Sequence, residues 1–285
     1  MAATERPVRR KVVRAPITVV EDGHVTRRRD RLATEEPLEI RAAGPGQEPT
    51  SVAVTMRTPG DDWELAAGFL FTEGLLSSRE EIDSIRYCEL DEPAEQQYNV
   101  VTVSLRRPFD AEALRRNFYV TSSCGVCGKA SIDEIEVRCE PLPPGPLLAP
   151  AVASGLPETL RGAQPVFDET GGLHAAGLFD PDGGLVALRE DVGRHNAMDK
   201  LIGHELLEGR LPAADRIVLV SGRASFELVQ KAGVAGIPIL CAVSAPSTLA
   251  VSAAKRLGMT LIGFVRGGRF NIYAHPERVS LADEG

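Results

Sequence analysis

The sequence lacks the features of several large classes of protein. Its longest mostly apolar stretch, Val234 to Val243, is about half of a membrane span and is interrupted by Gly236 and Pro238. No apolar stretch follows the basic residues at 9–11, as an export signal would require. Five cysteines are an odd number in a chain of 285 residues and do not indicate a disulfide framework. We therefore expect a soluble, cytoplasmic protein whose close cysteines do chemistry or bind metal.

An overall excess of positive charge is also absent. Acidic residues outnumber basic ones by 40 to 32, which gives a net charge of −8, whereas a free-standing nucleic-acid binder needs a basic surface. Residues 1–31 carry nine Lys and Arg against four Asp and Glu, so this segment has a net charge of +5 and the remainder −13. Such a basic arm could touch an acidic partner, although a solvated arm is the more common outcome.

The second half of the sequence alternates strands and helices as a parallel sheet does. The predicted elements are a hairpin of 172–179 with 184–189, a helix over 195–208, strand 217–220, helix 226–235, strand 237–243, a helix from Ser247, and strands 259–265 and 270–273. Short links between such elements favour parallel strands joined by right-handed crossovers. An α/β domain is therefore expected over residues 158–285.

The first half is less regular. Its predicted elements are strands 12–20, 36–41, 51–56 and 99–105 and a helix over 64–76. Six prolines over 141–157 are typical of a linker. The expected organisation is a basic arm (1–15), a smaller α+β part (16–140), the proline-rich linker and the C-terminal domain.

A Cys-x-x-Cys pair, Cys124 and Cys127, lies in a predicted glycine-rich loop over residues 119–131. It could be half of a zinc site, but zinc needs four ligands and the other cysteines are isolated. It could be a thioredoxin-type redox pair or a purely structural pair. It could also carry sulfur on a mobile loop, where Lys129 would favour the reactive thiolate. The second thiol could then release the sulfur by forming a disulfide.

Small residues and arginines follow the predicted parallel strands, at the edge where open α/β sheets bind ligands. The candidates are Ser221, Gly222 and Arg223 after the first strand and Phe264, Val265, Arg266, Gly267, Gly268 and Arg269 at the end of the third. Arginine binds phosphate through paired hydrogen bonds. Arg194 and His195, at a predicted helix start, could also meet an anion. These residues favour a nucleotide-like or pterin-like phosphate ligand, although tight connections and a capping cluster would give the same pattern.

Several segments together resemble the formate dehydrogenase accessory sulfurtransferase family. These segments occur in the same order as in the family, and the resemblance spans about residues 16–279. The segments are 58–62 (Thr-Pro-Gly-Asp-Asp), 64–70 with 73–74, 121–128 (Thr-Ser-Ser-Cys-Gly-Val-Cys-Gly), 170–176 (Thr-Gly-Gly-Leu-His-Ala-Ala), 190–197 (Glu-Asp-Val-Gly-Arg-His-Asn-Ala), 221–223 and 264–271. The resemblance implies a fold similar to that of cytidine deaminases. That fold is an α/β, three-layer core with parallel strands in the C-terminal half and a smaller α+β N-terminal part.

The resemblance also implies a function. Family members take sulfur from a cysteine desulfurase as a persulfide, which assigns the carrier role to Cys124 and an assisting role to Cys127. They pass it to the molybdenum (or tungsten) bis(molybdopterin guanine dinucleotide) cofactor before the cofactor enters formate dehydrogenase. The segment 264–269 is implied to contact the guanine nucleotide ends. A homodimer is implied, with no tightly bound metal and no nucleic-acid or membrane partner. A non-catalytic cofactor chaperone and a zinc-stabilised binding domain are the alternatives.

Deaminase chemistry itself is not expected. A zinc deaminase needs His-x-Glu together with Pro-Cys-x-x-Cys. Here Ser123 stands where proline would precede Cys124, and neither His174 nor His204 has a glutamate two residues on.

Overall fold

The computed structural model describes residues 10–88, 98–110 and 141–281. The predicted loop over 119–131, with Cys124 and Cys127, lies outside these residues, as does Cys139. The described part of the chain contains a two-stranded ribbon, a four-stranded sheet and a six-stranded sheet. In the described ranges, every helix is too short or too polar to span a bilayer.

The elements before residue 111 form the ribbon, the four-stranded sheet and one helix. They are β1 (Val12–Glu21), β2 (His24–Ala33), β3 (Glu36–Ala43), β4 (Thr50–Arg57), α1 (Asp62–Thr72), β5 (Ile82–Tyr87) and β6 (Val100–Leu105). Asp22 and Gly23 have positive φ angles of 48° and 82°, and β1 turns back there onto β2. Strand 12–20 was predicted, but the strand that pairs with it, β2, was not. No residue of β2 is buried, so the strand carries no apolar pattern.

The elements after residue 140 build the larger sheet and its helices. They are α2 (Pro150–Gly162), α3 (Pro165–Thr170), β7 (His174–Phe179), β8 (Leu185–Asp191), α4 (Arg194–Leu207), β9 (Ile217–Val220), α5 (Phe226–Val234), β10 (Ile239–Ala242), α6 (Thr248–Leu257), β11 (Thr260–Arg266) and β12 (Arg269–Ala274). The strand order is β12-β11-β10-β9-β7-β8. The three middle strands β9, β10 and β11 are parallel, as predicted.

Helices cover both faces of the six-stranded sheet. Successive side chains of a strand point to opposite faces, and β9 follows this rule: Val218 belongs to the core beneath α4, α5 and α6, whereas Leu219 belongs to the core beneath α2. Burying one such side chain is worth roughly 1.5–3 kcal/mol. The result is a helix–sheet–helix stack, and the predicted mixed α/β class with parallel strands in the C-terminal half is confirmed.

The end of the predicted linker is helical. Pro150 occupies the first turn of α2, where proline is tolerated because its missing N–H would have no partner. The preceding residues are held by Arg278, whose guanidinium donates to the backbone carbonyls of Pro143 and Pro144. The proline count therefore misidentified residues 150–157, which form an ordered helix against the sheet.

The helices α1 and α4 join the two halves of the chain. They cross at Gly68 and Gly203, where the backbones approach so closely that a Cβ atom on either residue would lie 1.9 Å from a carbonyl oxygen of the other helix. Leu65 of α1 and Leu201 of α4 belong to one buried cluster, which also contains Ile40 of the four-stranded sheet. The four-stranded sheet is thus packed on the α/β layers through α1.

Candidate functional site

The carboxyl ends of four strands lie at one edge of the six-stranded sheet. β9, β10 and β11 are mutually parallel, and β8 runs in the same direction because both β8 and β9 are antiparallel to β7. Leu219, Cys241 and Ile262 lie in one row across the sheet. Ser221 and Phe264 each follow this row by two residues, so they lie at the same level of the sheet. The predicted convergence of the strand ends is therefore present in the fold.

The loops that leave this edge are joined by main-chain hydrogen bonds. The amide of Ser244 donates to the carbonyl of Gly222 at 3.3 Å, and the amide of Phe264 donates to the carbonyl of Ser244 at 3.2 Å. Ala224 and Pro246 form an isolated parallel bridge. Three consecutive strand ends are thus held in one surface. Arg223 is exposed on the first of these loops.

The segment from Phe264 to Arg269 is the hairpin between β11 and β12. Gly267 and Gly268 have φ angles of 58° and 76°, which a two-residue type I′ turn requires and which glycine adopts without strain. Arg266 pairs with Arg269 across this turn, and both are exposed. The Val265 side chain is fully buried in the core beneath α2. Val265 can therefore contribute to the predicted site through its backbone alone.

His195, in the first turn of α4, faces the loop after β9. Its Nε2 atom lies 2.6 Å from Oε2 of Glu227 and 3.2 Å from Oγ of Ser225. The hydrogen bond from His195 lowers the pKa of Glu227 and outweighs the opposing effect of burial. His195 is thus held at the start of α5 by Ser225 and Glu227, two residues that the sequence had not singled out. Its predicted role in binding an anion stays a prediction.

His174 is a further residue of this edge, and its role was left open by the sequence. His174 is the first residue of β7. Because β7 runs antiparallel to β9, its start lies beside the end of β9. The Nδ1 atom of His174 would lie 3.4 Å from a Cβ atom on Gly222. Burial lowers the pKa of His174, and the charges of Arg194 and His195 lower it further. In the sequence, His174 stands out only because it closely follows Gly171 and Gly172. This position could not show which strand His174 would contact.

The 190–197 segment divides into a buried half and an exposed half. Asp191 accepts hydrogen bonds from the amides of Thr58 at 3.1 Å and Gly193 at 2.9 Å, and its carboxylate pairs with Lys200 at 2.7 Å, with both side chains fully buried. Through Asp191, this half connects the 58–62 loop to the start of α4 by hydrogen bonds and an ion pair. Such a capping cluster was the alternative to a ligand site that the sequence left open. Arg194 is exposed. Arg194 and His195 are therefore the residues of this segment that can meet a ligand.

The described cysteines differ sharply in their reactivity. Cys241 lies in the centre of β10, and burial raises the pKa of its thiol to about 12. A thiol with such a pKa is almost entirely protonated at neutral pH, and the thiolate is the nucleophilic form. Cys88 is exposed at the end of β5. Of the described thiols, Cys241 is therefore unsuited to sulfur transfer, and the predicted carriers Cys124 and Cys127 lie outside the described residues.

In residues 10–88, 98–110 and 141–281, no group of three or more His, Cys, Asp or Glu side chains is arranged to hold a metal ion. The chain does contain one His-x-Glu triplet, at His275 and Glu277. Nδ1 of His275 contacts Glu277 at 2.8 Å and Nε2 contacts the carbonyl of Lys255 at 2.9 Å. Both ring nitrogens therefore have protein partners.

Comparisons with known proteins identify the family of the chain. The model of the FdhD/NarQ family matches residues 33–280. The chain is 51% identical over 280 residues to the sulfur carrier protein FdhD of Streptomyces avermitilis, which covers 96% of this chain and 95% of the relative. It is 49% identical over 265 residues to the protein of the same name from Mycobacterium tuberculosis, covering 90% and 94%.

A solved structure has the same fold. The crystal structure of a candidate formate dehydrogenase accessory protein from Desulfotalea psychrophila superposes with a TM-score of 0.73 at 28% identity, covering 95% of this chain and all of that one. The family match spans both halves of the fold and every described element of the strand-end site. The chain therefore belongs to the FdhD/NarQ family.

Proposed function

We propose that this protein is a sulfur carrier that delivers sulfur from a cysteine desulfurase to a molybdenum cofactor destined for formate dehydrogenase. The observation that carries the proposal is the family match over residues 33–280, together with about half of all residues shared with proteins named as sulfur carriers. The strand-end site supports it, because its exposed arginines suit an anionic ligand. The cytoplasmic location and the homodimer remain predictions.

The first chemical step loads the carrier. The thiolate of Cys124 attacks the terminal sulfur of a persulfide on the desulfurase. A new S–S bond forms on Cys124, the S–S bond on the desulfurase breaks, and the desulfurase cysteine leaves as a thiolate. The step transfers one sulfur atom without a net change of redox state.

The second step releases sulfur and supplies two electrons. The thiolate of Cys127 attacks Sγ of the Cys124 persulfide, which forms a disulfide between the two cysteines and expels the terminal sulfur as hydrosulfide. That sulfide is the form that a metal centre takes as a ligand. A thiol reductant of the cell must then reduce the disulfide before another cycle begins.

The acceptor is a substrate of this protein, and the strand-end site is where we place its guanine nucleotide ends. Arg223, Arg266 and Arg269 are exposed there and can each donate paired hydrogen bonds to a phosphate. The guanidinium of Arg266 lies 5.7 Å from the centre of the Phe264 ring. His195 lies at the start of α4, with its Nε2 atom held by Glu227 and Ser225. The arginines would hold an anionic, partly aromatic ligand.

The direct test is peptide-level mass spectrometry after incubation with a cysteine desulfurase and cysteine, with alkylation to trap persulfides. An added sulfur on the peptide that contains Cys124, dependent on desulfurase, is expected. The Cys241 peptide is the internal control and should stay unmodified, because that thiol is buried with a raised pKa. Cys124→Ala should also abolish maturation of formate dehydrogenase.

The outcome distinguishes the carrier from a delivery chaperone. If neither Cys124 nor Cys127 gains sulfur while both react with alkylating agent, sulfur carriage is wrong. Full maturation activity in Cys124→Ala would lead to the same conclusion. Zinc analysis of the purified protein tests the zinc-stabilised alternative.

A further inference from the structure

The β1–β2 ribbon stands apart from the other two sheets. Its strands pair over ten positions, from Val12 with Ala33 to Glu21 with His24, so the ribbon is about 33 Å long at roughly 3.3 Å per residue. Its contacts with the body cluster at the open end, where Lys11 pairs with Asp61 at 2.9 Å. A two-stranded ribbon is marginally stable by itself. Burial in the hydrophobic core does not account for such a long ribbon, because no residue of β2 is buried.

One face of the ribbon concentrates arginine. Arg14 lies directly opposite Arg31, and Arg29 lies opposite Pro16, two positions further along the same face. Like charges placed directly across an antiparallel pair are destabilising. The fold therefore holds an unfavourable pair that an anionic partner would relieve.

These arginines line a hollow of about 610 Å³. The lining residues are Arg10, Val12, Val13, Arg14, Arg29, Arg31 and Glu169. Glu169 is the acidic residue among them and lies 3.4 Å from Arg31. Four guanidinium groups thus face the hollow with one carboxylate, which leaves a formal excess of three positive charges.

Apolar side chains accompany the charge. Val20 and Val25 form a cross-strand pair on the same face as Arg14 and Arg31 and are 65% and 66% exposed, and Val13 and Leu32 form a pair on the opposite face and are 43% and 44% exposed. Arginine is enriched among the residues that carry most of the binding energy at protein interfaces, and apolar neighbours help to exclude water from such contacts. A small anion would use the arginines alone, whereas a protein segment would use both.

The charge of the whole chain selects the sign of the partner. Residues 10–33 contain seven Lys and Arg against three Asp and Glu, a net charge of +4, while the rest of the chain carries −12. An acidic partner is repelled by that remainder and attracted to the ribbon, so the field both steers and orients it. We infer that the β1–β2 ribbon is the docking surface for an acidic, partly apolar segment of a partner protein. This inference goes beyond sulfur transfer and does not depend on it.

The test measures binding of a fluorescein-labelled twelve-residue peptide of alternating Glu and Val by fluorescence anisotropy at low salt. The full-length protein is expected to bind it saturably. Arg14→Gln with Arg31→Gln should weaken binding at least about tenfold, because close charge pairs at an interface couple strongly. The same double variant should keep or slightly raise Tm, because it removes a like-charge pair.

A matched control keeps the test specific. Arg86→Gln with Arg106→Gln removes two exposed arginines from the four-stranded sheet and should leave the affinity within about twofold. Equal losses in both double variants would overturn the proposal, as would equally tight binding of a DNA duplex of the same charge. A change of oligomeric state in the ribbon variant, seen by sedimentation, would instead assign the ribbon to a second copy and also overturn it.

Discussion

Gly68 and Gly203 face each other where α1 crosses α4, and the backbone nitrogen of each lies 2.8 Å from the position that a Cβ atom on the other would occupy. Glycine inside a helix normally costs about 0.5–1 kcal/mol relative to alanine. Here the absence of a side chain is what allows the two helices to touch. The contact joins the four-stranded sheet to the α/β layers.

Gly68→Ala should therefore destabilise the fold although alanine is the better helix former. The new methyl group would lie 1.9 Å from the carbonyl oxygen of Asp199, and the helices would have to separate, at a cost of about 3 kcal/mol or more. Urea unfolding measures this change. Gly155→Ala in α2 is the control, because nothing lies within 4 Å of its Cβ position, and it should stabilise slightly. Equal effects at the two positions would contradict the close crossing.

Asp191→Asn should uncouple the 58–62 loop from α4. The substitution leaves Lys200 fully buried without its carboxylate partner, and breaking a buried pair from one side costs about 3–5 kcal/mol. The midpoint of urea unfolding should fall accordingly. Asp215→Asn is the surface control, because Asp215 is 72% exposed beside Arg216 and such pairs are worth about 0–1 kcal/mol. A loss below about 1 kcal/mol in Asp191→Asn would show that the pair is not buried.

His174 should make stability depend on pH on the acid side of neutrality. Burial, with the charges of Arg194 and His195, lowers its pKa below the ordinary value of 6.5, so the folded state favours the neutral ring. The contribution of the neutral His174 ring to the free energy of unfolding is therefore fully present above pH 6.5. It is lost as the pH falls through the pKa of His174 in the folded state. Urea unfolding from pH 7.5 to pH 5 should show a shallower decline in His174→Gln than in the parent protein. Identical slopes would argue against the shift.

The β11–β12 hairpin should contribute to nucleotide binding through its arginines. Arg266→Glu with Arg269→Glu places two negative charges where the predicted site needs positive ones and should weaken binding of GDP at least about tenfold. Isothermal titration calorimetry measures the affinity. Arg106→Glu is the charge control, because Arg106 is exposed directly after β6. This substitution should change the affinity for GDP little. Unchanged affinity in the hairpin variant would remove 264–269 from the site.

The regular elements were predictable wherever local pattern and tertiary environment agree. The strands from Ile217 onward are continuous apolar runs between turn residues, and Ser247 accepts a hydrogen bond from the amide of Ala250 as the predicted cap of α6. The pattern failed for β2, whose exposed basic residues have no core face, and for α2, where Pro150 and Pro157 looked like a linker. In β2 the periodic signal was absent, and in α2 the residue type that signals a break lies within regular structure.

The sequence by itself determined that strands β9, β10 and β11 of the C-terminal half are parallel, and it contains the motifs that place the chain in its family. These follow from continuous apolar runs separated by helices and from short collinear segments. The tertiary structure alone decided that His174 meets Gly222, that Glu227 holds His195, and that Asp191 is buried against Lys200. Those contacts depend on strand order and on a helix crossing between distant parts of the chain, which no local pattern encodes.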